Sequence, residues 1–156
     1  MADDRQGESP AERADRNFGD LLQELRVAQT GVQFLFAFLL TAPLQSGFGR
    51  LDRWDRALLI VDVAALAVAA VCLIAPVAWH RALFRLNLKD QVVDAANRLA
   101  QTGLAFLALG MVLSITLTVD LVTPRWVALS FGAGIAVLAV MLWLVLPVRH
   151  RRAVPP

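Results

Sequence analysis

The chain has 156 residues, of which 58% are hydrophobic, and a formal net charge of +2, with a mean hydropathy of +0.59. A soluble domain is usually about 45–50% apolar, so a soluble globular fold is disfavoured. The charge is too small to argue for nucleic acid. A lone cysteine, Cys72, allows no internal disulfide and reads as a small packing residue.

Residues 1–16 are mostly Asp, Glu, Arg, Gly, Ser and Pro, with little to bury, which predicts a disordered tail. Asn17 can cap a helix, with Asp20 near its positive end. Phe18, Leu21, Leu22, Leu25 and Ala28 then form an amphipathic lead-in to a first span over about 22–42. No A-x-A-like cleavage site follows it, so it reads as a retained signal anchor. Pro43, Gly47 and Gly49 mark a loop. A second span covers about 57–79 and carries Asp62 and Pro76, the latter a site for a bend.

The next connection, residues 80–98, lacks Gly and Pro. Arg81, Arg85 and Lys89 recur there every four residues, which predicts one basic helical face suited to anionic lipid headgroups. Positive-inside topology alone explains the same charges. A third span follows over about 97–119 and a fourth over about 126–147, joined by a tight turn with Pro124. Residues 149–156 form a basic tail. The fold class is therefore all-α: a polytopic membrane protein with four transmembrane helices in a bundle.

Orientation follows from Arg and Lys. The two termini and the second connection share a side and carry eleven of the fifteen basic residues, against four on the other side. That places both termini in the cytoplasm and the chain in the plasma (inner) membrane. Trp54 and Trp126 fall at the outer ends of their spans, Trp79 and Trp143 near the inner ends, where interfacial tryptophans belong.

Small residues mark the expected packing faces: Gly103 and Gly110 in the third span, Ala128, Gly132 and Ala136 in the fourth. Such stripes suit contacts within one bundle and contacts between copies in a homo-oligomer. Among polar residues, Asp62 is the leading candidate. It lies about 8 Å inside the outer boundary at 1.5 Å per residue, and an acid in a span is a functional candidate by default. One reading makes it a proton or cation site. Another makes it an acid hydrated from outside or paired with Arg53 or Arg56. Depth counting predicts a polar cluster of Asp62, Gln33 and Ser114.

The first span also carries a polar stripe, Arg26, Thr30, Gln33 and Thr41, which should face the bundle interior or another subunit. No catalytic constellation, metal cluster or cofactor motif appears in the sequence, so an enzyme is not expected. Two functional classes remain. One is an oligomeric proton or small-cation channel or transporter subunit using Asp62. The other is a structural or accessory protein that contacts a membrane partner or anionic lipid through its first helix and basic connection.

Two segments, "NFGDLLQELRVAQTGVQFLFAFLLT" at Asn17–Thr41 and "APVAWHRALFR" at Ala75–Arg85, resemble an uncharacterised family of small four-span membrane proteins common in actinobacteria. The resemblance covers most of residues 16–120. It implies an actinobacterial plasma membrane, in keeping with fourteen Arg to one Lys. Some members of that family carry a sodium:proton antiporter label with no catalytic motif behind it.

Overall fold

The computed structural model describes the backbone of residues 10–44, 49, 51–83 and 89–153. Helix α1 is Pro10–Thr41, α2 Arg53–Leu83, α3 Lys89–Asp120 and α4 Arg125–Val140. A π-helical turn, Met141–Val145, carries α4 into α5, Leu146–Ala153. Four segments are long and apolar enough to cross a bilayer: Gly19–Leu44, Arg53–Trp79, Ala95–Asp120 and Arg125–His150.

The helices overrun the sequence-based limits at both termini. α1 starts at Pro10, inside the segment expected to be disordered, and Asn17 lies within the helix instead of capping it. Proline suits a first helical turn, and the following Ala, Glu and Arg residues are good helix formers. At the other end α5 continues through Ala153 into the expected tail. In the second connection α2 runs to Leu83 and α3 begins at Lys89. Arg81 is exposed there, while Arg85 and the side chain of Lys89 lie outside the described residues.

The tightest seam joins α2 and α3, which run antiparallel. Gly103 lies against Leu73 and Cys72, Gly110 against Leu66, and Ser114 against Asp62. A Cβ at Gly103 would stand only 2.7 Å from Leu73 Cγ, so glycine is what permits this approach. Leu66, Ala69 and Leu73 fill the seam from α2 and are fully buried. α1 closes over both helices with Leu25, Val32 and Leu39 buried at intervals of seven, the spacing that keeps one helical seam facing its partners.

α4 is attached differently. Along its length it packs on α3, and among its residues Ala128 and Gly132 are buried. Gly132 sits directly on the Thr116 side chain. Ala136, also expected to pack, is half-buried and lines a groove instead. The bundle is thus a three-helix core with a fourth helix leaning on one side.

Gly132→Val should lower thermal stability in detergent by about 1–3 kcal/mol, because Thr116 is β-branched and cannot swing aside cheaply. Gly134→Ala is the control, since a Cβ there meets nothing within 4 Å. Equal melting shifts for the two would contradict the close α3–α4 contact.

Candidate functional site

Asp62 enters the bundle because its helix face is the seam itself. Leu59, Leu66, Ala69 and Leu73 lie three, four or seven residues from it or from each other, and all are buried. Asp62 is 0% exposed. Ser114 Oγ donates a 2.7 Å hydrogen bond to its Oδ2. Its Oδ1 is buried and has no hydrogen-bond partner among the described residues. That oxygen faces the bare backbone of Gly110, where a Cβ would come within 3.4 Å of it. Hydration from outside and pairing with Arg53 or Arg56 are therefore both corrected. Arg56 Nε instead donates to the Leu51 carbonyl, at 3.1 Å.

The expected three-residue cluster forms only in part. Asp62 and Ser114 meet, but Gln33 is exposed on the far side of α1. The reason is rotation. The buried face of α1 is set by Leu25, Val32 and Leu39, which turns Arg26, Thr30, Gln33 and Thr41 outward, all exposed. Of the two expected positions for that stripe, the bundle interior is thus overturned. Thr30 Oγ1 donates to the Arg26 carbonyl at 3.0 Å and Thr41 Oγ1 to the Phe38 carbonyl at 2.7 Å. Hydroxyls satisfied by their own helix can face lipid at little cost.

The inward polar residue of α1 is Gln29, which sequence reasoning missed. Its Nε2 donates a 2.7 Å hydrogen bond to the Leu73 carbonyl of α2. Leu73 stands one turn before Pro76, whose missing N–H leaves the Cys72 carbonyl without its usual helical donor. Gln29 thus ties α1 to α2 where proline interrupts the ladder. The signal was present: Gln29 lies between Ala28 and Val32, on the inner face.

A second polar constellation closes the end of the bundle that holds the α1–α2 and α3–α4 connections. Asp52 and Asp55 form a reciprocal capping box at the start of α2. The Asp55 amide donates to Asp52 Oδ1 at 2.8 Å, and the Asp52 amide to Asp55 Oδ2 at 3.3 Å. Arg125, the first residue of α4, reaches across. Its Nη2 lies 2.7 Å from Asp52 Oδ2 and its Nε 3.1 Å from Asp120 Oδ2. Its guanidinium also stacks on Trp54, 5.5 Å from the ring centroid. The hydrogen bond from Arg125 holds the Asp52 carboxyl below its ordinary value, helped by the Asp55 amide. One arginine therefore joins the ends of α2, α3 and α4. No group of three or more potential metal-ligating side chains occurs among the described residues.

These features define a multi-pass α-helical membrane protein with a carboxyl group sealed between two of its helices. The chain belongs to a family of unknown function, DUF6328, whose family model matches residues 7–147. No curated protein and no solved structure matches it.

Arg125→Gln should destabilise the protein by about 1–3 kcal/mol, because Asp120, whose side chain is 4% exposed, loses its partner. The loss should read as a lowered melting temperature in detergent. Acid should act on the same lock through Asp52. Its folded value lies below the unfolded one, so its contribution is full above the ordinary aspartate range and disappears as pH falls through the depressed value. Trp54 fluorescence, taken as a difference against Trp54→Phe, should change as pH falls through that depressed value.

Proposed function

We propose that the protein is a proton-binding subunit of a membrane assembly, with Asp62 as the group that takes up and releases the proton. The observation that carries this reading is a fully buried carboxyl with a hydroxyl on one oxygen and no hydrogen-bond partner on the other among the described residues. An isolated ionised carboxylate is very expensive in an apolar interior, and its protonated form far less so. The same geometry narrows the ligand. A hard cation such as calcium takes about six or more oxygens, whereas Asp62 and Ser114 together supply three. A proton needs one. The excess of Arg and Lys on one side supports cytoplasmic termini in a plasma membrane, which puts Asp62 in the outer half. The role is non-enzymatic: binding or passage, with no bond made or broken in a substrate.

The outward stripe of α1 favours a second reading, an accessory protein held against another membrane helix or a second copy. Gln33 is exposed within a membrane-spanning segment, and its amide makes no hydrogen bond among the described residues. An amide that donates and accepts is ordinary glue between membrane helices. Arg81 is exposed at the other end of α2 and suits an anionic headgroup.

Reconstituted liposomes separate the readings. With a pH gradient and a potassium diffusion potential, wild-type protein should dissipate the gradient. Asp62→Asn should fall to the rate of protein-free vesicles, and Ser114→Ala should shift the pH dependence of flux. A sodium gradient should be untouched. No wild-type proton flux would remove the first reading, and cross-linking at Gln33→Cys would then test the second.

A further inference from the structure

The face of α3 opposite Asp62 borders a groove of about 780 Å³, lined by residues of α3, α4, the π-turn and α5 that include Gln101, Ala105, Ala108, Ala136, Val140 and Trp143. We infer that this groove holds one acyl chain of an anionic phospholipid from the leaflet nearest the termini. The groove lies beyond the part of α4 where Ala128 and Gly132 are buried and Gly132 meets Thr116 of α3. Beyond that contact small residues on both helices leave space, and the π-turn at Met141–Val145 resets the course of the chain beside it. Its size falls in the ordinary range of ligand sites, about 300–1,000 Å³.

Its depth fits one leaflet. On α3 the lining runs from Gln101 to Val112, about 16 Å at 1.5 Å per residue, against roughly half of a 30 Å hydrocarbon core. The walls are apolar, and the polar side chain, Gln101, stands at the end nearer the termini. Charge at that end matches an anionic headgroup. Arg98, exposed, precedes Gln101 by three residues and Ala105 by seven, on the same helical stripe. Arg149, also exposed, follows the lining residue Val148 directly. Each arginine near a membrane surface is worth about fivefold in anionic-lipid preference. The groove is separate from Asp62 and does not depend on how that residue functions.

Trp143 supplies the test. A variant with Trp54→Phe, Trp79→Phe and Trp126→Phe keeps Trp143 as its fluorophore and is placed in phosphatidylcholine vesicles. Brominated-acyl phosphatidylglycerol or brominated-acyl phosphatidylcholine is then titrated in. Phosphatidylglycerol should quench Trp143 at a several-fold lower mole fraction. Arg98→Gln and Arg149→Gln should each reduce that preference by about fivefold. Ala108→Leu with Ala136→Leu, which fills the groove, should weaken quenching by both lipids. Equal quenching by the two lipids would overturn the headgroup assignment. Quenching unchanged in the filled variant, or absent with either lipid because a second copy covers the groove, would overturn the acyl-chain assignment.

Discussion

The close approach of α2 and α3 governs the rest of the molecule. Lipid gives no hydrophobic incentive for one apolar helix to leave it for another, so association depends on how near two backbones can come. Gly103 and Gly110 remove the side chains that would hold α3 away, and Leu73 and Leu66 occupy the vacated positions. The same proximity leaves Asp62 no route to water. Ser114, one turn beyond Gly110, bonds one carboxyl oxygen, and the other lies beside Gly110 with no hydrogen-bond partner among the described residues. The packing that stabilises the core is thus also what makes the acid chemically unusual.

α1 and α4 attach to this seam by different means. α1 lays a seven-residue apolar repeat along both helices and adds the Gln29 hydrogen bond at the proline-weakened turn of α2. α4 has a short glycine–threonine contact and the Arg125 lock at one end. Locked at that end, it leaves a groove beside Trp143 toward the other. The asymmetry has a sequence basis. α3 carries two glycines for α2, while the small residues beside the groove, Ala105, Ala108 and Ala136, are alanines.

Much of this was legible in the sequence, because a bilayer imposes simple rules. Span number and the short turn at Pro124 followed from length, hydropathy and breakers. The Asp62–Ser114 meeting followed from counting depth in antiparallel helices. Rotation about the helix axis was what depth could not supply. Gln33 lies at a suitable depth but on the wrong face, since the buried face of α1 is defined by Leu25, Val32 and Leu39. A polar stripe looked inward because threonine was counted as polar, yet its hydroxyl is satisfied one turn back along its own helix. The Arg125 network was missed for another reason. It joins residues 52, 55, 120 and 125, and only the D-x-x-D spacing ahead of α2 was a local signal.

The two ends of the bundle place different demands on the chain. At the connection end, charges are concentrated: Arg125 serves Asp52 and Asp120 and stacks on Trp54, while the buried Oδ1 of Asp55 has no hydrogen-bond partner among the described residues. Such a lock fixes helix ends with Arg125 and Asp52 still half-open and Asp120 covered, near a membrane surface, where charge costs less than at mid-depth. At the terminal end exposed arginines, among them Arg26, Arg81, Arg98 and Arg149, are spread over α1, α2, α3 and α5, a distribution suited to a surface of opposite charge. Asp62 belongs to neither pattern. It sits between them, buried against Ser114, with no arginine bonded to it among the described residues.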